Sequence, residues 1–206
     1  MKKAVILANG DFPTHPYPLQ ILRTAESRIC CDGAAEALLA AGLEPHKIIG
    51  DLDSLPDQIR KTYAQCITHD PDQETNDLTK AVNACRQEGY QAITILGATG
   101  KREDHTLGNI GLLAQYAQQA DVEMITDHGI FTVIQNQATL ATLPGQQVSF
   151  FNTTKGIPVT AHNVKYPLEN LLIDQIWQGT LNEATGSSIT ISAPGAIIIV
   201  FLRYAT

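Results

Sequence analysis

Several patterns that would define a function are missing from these 206 residues. The four cysteines form no CxxC pair and share no spacing with histidines, which argues against a zinc site. No apolar stretch approaches the roughly 20 residues of a membrane-spanning helix. The formal net charge is -7 and there is no basic tail, which argues against a nucleic-acid or membrane-surface partner. We therefore expect a cytoplasmic protein with no nucleic-acid or membrane partner.

Familiar catalytic motifs are also missing. There is no GxSxG elbow and no cysteine with an identifiable companion histidine, so nucleophilic acyl chemistry is disfavoured. The glycine-rich segment 97–105 follows neither the P-loop pattern nor the GxGxxG pattern of dinucleotide folds. No internal repeat is visible, so a solenoid is not expected.

The pattern of the chain changes near residue 135. Before it, apolar β-rich runs (3–8, 28–31, 47–49, 66–68, 92–96, 122–126) alternate with helix-like segments (33–41, 56–64, 76–88, 104–118). This alternation predicts a parallel sheet covered by helices. After it, short strand-like runs (138–143, 147–151, 180–183, 188–192, 196–202) are separated by Pro-Gly and Thr-Gly turns.

These two patterns predict an α/β fold with two domains. Residues 1–132 would form an N-terminal parallel-sheet, nucleotide-binding-like domain. Residues 133–206 would form a small all-β sandwich domain.

Acidic loops follow most of the predicted parallel strands. Ligands bind beyond the carboxyl ends of such strands, so these loops are the candidate site. Asp51 and Asp53 share a side of an extended segment, and a carboxylate pair with room for water suits Mg²⁺. A polar turn in which Asp53 caps the next helix explains this motif alone at least as well. The metal site depends on Asp77 converging with them from another loop.

The segment 97–105 predicts a phosphate site. Gly97 and Gly100 let the backbone approach an anion, and a helix amino terminus favours negative charge. Arg102 adds a planar fork that matches phosphate oxygens. The alternatives are a simple loop with Asp104 as the helix cap, and His105 as a packed helix-start residue.

Seven segments together, in this order, resemble the thiamine pyrophosphokinase family. They are ILANG (6–10), CDGAAEALLAAG (31–42), IGDLDS (49–54), DQETNDLTKA (72–81), ILGATGKREDHTLGN (95–109), VKYPLEN (164–170) and TLNEATG (180–186). The resemblance spans almost the whole chain. It implies a homodimer of an α/β nucleotide-binding domain and a β-sandwich domain, with active sites at the dimer interface.

The resemblance also implies roles for individual residues. Those for Mg²⁺ and catalysis are Asp51, Asp53, Asp77, Arg102 and Asp104. Those for the nucleotide and its phosphates are Asn9, Gly10, Asp32, Gly33, Gln73, Gly97, Gly100 and His105. Tyr166 would pack on thiamine, where a cationic thiazolium suits an electron-rich ring, and Asn182 would contact the aminopyrimidine. A strand-end turn explains Asn182 equally well.

The chain departs from the family pattern at Asn76, Lys101 and Tyr166, and none of these changes removes a charge that the reaction needs. The implied reaction is transfer of pyrophosphate from MgATP to the thiamine hydroxyl, giving thiamine diphosphate and AMP. Two alternatives are a diphosphokinase for another hydroxymethyl heterocycle, such as a pterin, and a non-catalytic sensor of thiamine or its diphosphate.

Overall fold

The computed structural model describes residues 1–205 and has a mixed α/β fold, which confirms the predicted fold class at that level. The chain divides into two compact units, Met1–Asp127 and His128–Thr206. Within the described residues, no helix is long and apolar enough to cross a membrane.

The first unit is built on six parallel strands. They are β1 (Lys3–Leu7), β2 (Arg28–Cys31), β3 (Lys47–Gly50), β4 (Ile67–His69), β5 (Ala92–Leu96) and β6 (Asp121–Ile125). Their order in the sheet is β6-β5-β1-β2-β3-β4. The helices are α1 (Pro16–Thr24), α2 (Ala34–Ala40), α3 (Asp57–Thr62), α4 (Asp77–Gln87) and α5 (Glu103–Tyr116).

The central strands are buried because their sequences are almost continuously apolar, as expected for a parallel sheet covered on both faces. Ile6, Ile48 and Ile95 are completely buried. From the helices, Leu22, Leu38 and Leu113 are also completely buried. The sequence pattern located all six parallel strands, since a short apolar run between polar turns is a local signal.

Helix α1 was not predicted. Part of its amino-terminal cap is local and comes from His15, and part comes from far along the chain. Its amino end is held by Asp127, which lies 113 residues after Thr14. The Asp127 carboxylate accepts hydrogen bonds from the Thr14 and His15 N–H groups and from the Thr14 hydroxyl. The His15 Nδ1 accepts from the Tyr17 N–H at 3.2 Å. A cap supplied from so far along the chain leaves no mark in the local pattern.

The cysteines of the first unit give a prediction about thiol reactivity. Burial raises the pKa of Cys30 and of Cys85 to about 12, and burial also raises the pKa of Cys31. Cys66 is only partly buried. Because the thiolate is the reactive form, we expect one thiol to react fast with a disulfide reagent at pH 8 and three to react only on unfolding. Ellman titration with and without denaturant measures this. Cys66→Ser should abolish the fast phase, and two or more fast thiols in the native protein would contradict the expectation.

The second unit contains only antiparallel pairings among its described strands. These are β7 (Gly129–Ala141), β8 (Gln147–Asn152), β9 (Val159–His162), β10 (Leu168–Leu171), β11 (Asn182–Glu183) and β12 (Ser188–Arg203). Its core is apolar and includes the fully buried Phe150, Val159, Ile191 and Ile198. Strands β9 and β10, each four residues long, were not predicted.

Strand β12 corrects one expectation, since we predicted two strands separated by a turn at Pro194-Gly195. The chain instead stays paired with β7 on both sides of a register shift between Ala193 and Ile197. Gly195 has φ +88°, and its N–H donates to the Asn136 Oδ1 at 2.8 Å. The Pro-Gly pair therefore forms a bulge within one long strand. Beyond the bulge β12 exchanges its second partner, β9, for β8.

Candidate active site

The site lies at the switch point of the parallel sheet. Strand β1 pairs with both β2 and β5, and the chain runs through β2, β3 and β4 on one side before it returns to β5 and β6 on the other. The loops that leave β1 and β5 therefore diverge, and a crevice opens beyond their carboxyl ends. Most of the acidic and glycine-rich loops predicted from the sequence lie at this edge.

The bases of these two loops are joined by backbone hydrogen bonds. Gly10 donates its N–H to the Gly97 carbonyl at 2.6 Å, and Asp11 donates to the Thr99 carbonyl at 2.8 Å. Gly100 has φ +78°, which a glycine adopts without strain. The close approach at Gly10 explains why a residue without a side chain stands there.

Gly10→Ala should destabilise the protein by about 1–3 kcal/mol, because overpacked backbone contacts cannot yield cheaply. The added Cβ would clash with the carbonyl oxygens of Thr99 and Gly97, the latter at 2.5 Å. Urea unfolding measures the effect. The matched control is Gly108→Ala within α5, which meets open space and should stabilise by about 0.5–1 kcal/mol. Equal stability of Gly10→Ala and the wild type would contradict the close approach.

The crevice has a volume of about 600 Å³. Nine predicted residues line it: Asn9, Gly10, Asp51, Asp53, Gln73, Asp77, Gly100, Arg102 and His105. Four others of the same unit do not line it: Asp32, Gly33 and Gly97 stand in the adjoining loops, and Asp104 stands in the first turn of α5. Polar residues that sequence reasoning gave no functional role also line it: Ser54, Thr75, Asn76, Lys80, Lys101 and Asn109.

Three acids form a group that can hold a cation. Asp32, Asp51 and Asp53 each bring one carboxylate oxygen within 4.8 Å of the others. Asp32 is 1% exposed, and its Oδ2 accepts the Ser54 N–H at 3.0 Å. Its Oδ1 is buried and has no hydrogen-bond partner among the described residues. A buried carboxylate oxygen without a partner is costly, so this donor set fits a hard cation that prefers oxygen ligands.

The pKa values within this group differ because the environments differ. Burial raises the pKa of Asp32 to about 6. The hydrogen bond from the Ser54 N–H opposes this rise, and the negative charges of Asp77, Asp51 and Asp53 add to it. The hydrogen bond from Gln73, followed by the Asp53 N–H, lowers the pKa of Asp51. The Gln73 Nε2 lies 3.1 Å from the Asp51 Oδ2. Gln73 therefore orients an acid of the group.

Asp77 stands beside the three acids but is bonded differently. Asp32 and Asp77 both pack against the backbone of Gly50. If Gly50 carried a Cβ atom, this atom would lie 2.8 Å from the Asp32 Cβ and 3.2 Å from the Asp77 Oδ1, so the absence of a side chain at Gly50 makes room for both acids. The Asp77 Oδ1 accepts from the Lys80 ammonium at 3.2 Å. The Lys80 side chain is only 2% exposed, and a buried ammonium requires a charged partner. The lysine was missed in the sequence, although its position three residues after Asp77 on a helix is the spacing of an ion pair.

Arg102 and Asp104 form a two-point ion pair at the start of α5. The Arg102 Nη2 lies 2.5 Å from the Asp104 Oδ2, and the Arg102 Nε lies 3.0 Å from the Asp104 Oδ1. Arg102, and then the His105 N–H, lower the pKa of Asp104 to about 2. A carboxylate so stabilised is a weak base, so this pairing suits Asp104 to orienting a hydroxyl rather than removing its proton.

In the second unit, Asn182 supports the backbone of Tyr166. Asn182 is buried, its Oδ1 accepts the Tyr166 N–H at 3.1 Å, and its Nδ2 donates to the Tyr166 carbonyl at 2.7 Å. The Tyr166 side chain is 61% exposed, and the Lys165 ammonium lies 5.9 Å from its ring centroid. The Tyr166 backbone is thus fixed by Asn182, while its ring is exposed to solvent.

Taken together, these features are typical of α/β proteins that bind a phosphorylated ligand with a divalent cation at a sheet switch point. A model of the thiamin pyrophosphokinase catalytic domain matches residues 19–134, and a model of the thiamin pyrophosphokinase substrate-binding domain matches residues 129–201. The chain belongs to the thiamin pyrophosphokinase family, an enzyme family of ATP-dependent diphosphotransferases.

Individual relatives agree with this assignment. The chain is 28% identical over 197 residues to thiamin pyrophosphokinase 1 of Caenorhabditis elegans, which covers 84% of this chain and 78% of the relative. It is 34% identical over 86 residues to thiamine pyrophosphokinase of Bacillus subtilis, covering 40% of each chain. A crystal structure of the thiamine pyrophosphokinase from Bacillus subtilis has a TM-score of 0.83 at 25% identity and covers 100% of both chains.

Proposed function

We propose that this protein transfers pyrophosphate from ATP to the hydroxyl group of thiamine, giving thiamine diphosphate and AMP. The observation that carries the proposal is the match of both family models in sequence order, together with the acid group at the switch point. The hydroxyl oxygen forms a bond to the β-phosphorus, and the hydroxyl proton passes to solvent. The bond from the β-phosphorus to the oxygen shared with the α-phosphate breaks, and its electron pair leaves with AMP.

Asp32, Asp51 and Asp53 would hold Mg²⁺, with Asp77 beside them. The unpartnered Asp32 Oδ1 fits this role. When bound, the ion supplies positive charge that neutralises the phosphate oxygens during transfer. Asp32 thus joins the metal residues, although the resemblance placed it on the nucleotide side.

The other polar residues of the crevice position the reactants. Arg102 binds phosphate oxygens, and Asn9, Gly10 and the loop around Gly100 line the nucleotide side. Asp104 orients the thiamine hydroxyl. When Arg102 turns from Asp104 towards the phosphates, the Asp104 pKa rises towards its ordinary value, because Arg102 is the main cause of its depression. Binding of ATP would therefore make Asp104 a better hydrogen-bond acceptor.

Residues 133–206 are proposed as a sandwich domain that binds thiamine and forms a homodimer, and residues 1–132 as the catalytic domain. The Tyr166 ring offers its face to the thiazolium cation, and Asn182 holds the Tyr166 backbone. Large exposed apolar side chains in this part of the chain support a partner surface: Tyr166, Leu171, Leu172, Ile176, Trp177 and Leu181. Light scattering would distinguish one chain from two.

Product analysis tests the function. The purified protein is incubated with ATP, magnesium and thiamine, and the products are separated by chromatography. Equimolar AMP and thiamine diphosphate, both absent without magnesium, are the expected result. ADP with thiamine monophosphate would mean attack at the γ-phosphorus and would contradict the proposal. Products formed only with a pterin would favour the other acceptor class, and tight thiamine binding without AMP would favour a sensor.

The expected cytoplasmic location stays a prediction.

A further inference from the structure

Lys101 has a backbone conformation that its residue type disfavours. Its φ is +55°, in the left-handed region, and it follows Gly100 with φ +78°. The turn is held by the Gly100 N–H, which donates to the Thr106 hydroxyl at 3.1 Å, and by the Arg102 N–H, which donates to the Gly100 carbonyl at 2.6 Å. A glycine would accept this conformation without strain.

The Lys101 side chain reaches from the loop after β5 to the loop after β1. Its ammonium donates to the Asn9 carbonyl oxygen at 3.2 Å and to the Asn9 Oδ1 at 3.2 Å. Both residues are exposed and both line the crevice. The ammonium consequently lies at the mouth of the candidate phosphate site.

Lys101 also differs from the other cations of the crevice in its partners. Three lysines or arginines line the crevice, and two of them are paired with carboxylates, Lys80 with Asp77 and Arg102 with Asp104. Within residues 1–205, Lys101 has no carboxylate within ion-pair distance, and both its acceptors are uncharged. Of these three cations, Lys101 is thus the one that no carboxylate pairs among the described residues, and its ammonium is available to an anion.

We propose that Lys101 is an additional nucleotide-binding residue, whose ammonium contacts the polyphosphate of ATP from the mouth of the crevice. The inference rests on the proposed function and adds to it a preference for the more highly charged nucleotide. A single mobile ammonium acts as a point charge, so it favours the ligand with more negative charge. Lys101 should therefore strengthen the binding of ATP over AMP and contribute nothing to the binding of adenosine.

Two substitutions separate the charge from the backbone strain. Lys101→Met removes the charge and keeps the strained backbone, whereas Lys101→Gly removes both. Lys101→Arg keeps the charge, and Lys155→Met removes an exposed lysine of the second unit as a matched control. Calorimetry without thiamine measures Kd for ATP, AMP and adenosine with magnesium present.

We expect both Lys101→Met and Lys101→Gly to raise the Kd for ATP by about 3- to 10-fold, the size of one ordinary hydrogen bond, because solvent screens the charge at an exposed site. The Kd for adenosine should not change, and the difference should shrink at high salt. Lys101→Arg and Lys155→Met should bind ATP like the wild type. The thermal midpoint of Lys101→Gly should not fall, since the strained conformation suits glycine.

An unchanged ATP affinity in Lys101→Met would overturn the inference. So would an equal loss for adenosine and ATP, because Lys101 would then act only by holding Asn9. Product analysis on the same preparations separates a failure of the Lys101 inference from a failure of the proposed function. If the wild type forms thiamine diphosphate and Lys101→Met binds ATP normally, only the Lys101 inference fails. If the wild type binds no ATP, both fail.

Discussion

Replacing Asp51 by asparagine should lower kcat by about 10²- to 10³-fold at saturating magnesium, the range seen when one electrostatic group of an active site is removed. Asparagine has nearly the same shape, so the loss would report on charge. One oxygen of Asp51 lies within 4.8 Å of oxygens of Asp32 and Asp53, and removing one of three negative charges weakens any cation held there. Steady-state kinetics over a range of magnesium concentrations measures the effect.

The matched control is Asp57→Asn, an exposed acid in the first turn of α3. It should leave kcat and the magnesium dependence unchanged. A second readout does not depend on turnover. Magnesium with ATP should raise the thermal midpoint of the wild type and of Asp57→Asn more than that of Asp51→Asn, because ligands stabilise the state they bind. Full turnover of Asp51→Asn at saturating magnesium would show that the metal role is wrong.

Replacing Arg102 by methionine should lower kcat by about 10²-fold, because charge that develops on the transferred group loses a preorganised donor. Methionine keeps much of the length of the side chain without its fork of N–H donors. The same change frees Asp104, whose pKa of about 2 depends mainly on Arg102 and should rise towards its ordinary value. The acid limb of the kcat/KM profile, which reports ionisations of the free enzyme, should therefore move to higher pH in the variant.

Arg86→Met is the control for Arg102→Met, since Arg86 is an exposed arginine in the last turn of α4. It should leave kcat and the pH profile unchanged. Arg102→Lys is informative as well, because lysine keeps the charge but cannot make two parallel bonds to one group, so it should recover only part of the activity. An Arg102→Met variant within about threefold of the wild type would rule out a role in the transition state.

Local sequence patterns predicted much of the fold. The six parallel strands were located from apolar runs of a few residues, and α4 and α5 were located from their helical spacing to within two residues. Helix α1 and the continuity of β12 were missed, because a cap from Asp127 and a bulge held by Asn136 depend on residues far along the chain. Such contacts exist only after the strands have assembled.

For the candidate site, too, the sequence predicted one part and only the assembled sheet decided the other. The residues that follow each strand could be ranked from the sequence, because the carboxyl ends of parallel strands share one edge of the sheet. Which side chains meet at that edge depends on strand order and on the length of each loop. Strand order brings Asp32 beside Asp51 and Asp53, and places Lys101 against Asn9, 92 residues earlier in the chain.

The sequence by itself determined the family, the chemistry of the loops and the mixed α/β fold, since residue type, spacing and hydrophobic period are local properties. The tertiary structure alone decided which carboxylate oxygen is buried without a hydrogen-bond partner, and which lysine of the crevice lies against an asparagine 92 residues earlier in the chain instead of a carboxylate. These are properties of distance and burial, and both are set by how strands from distant parts of the chain pack together.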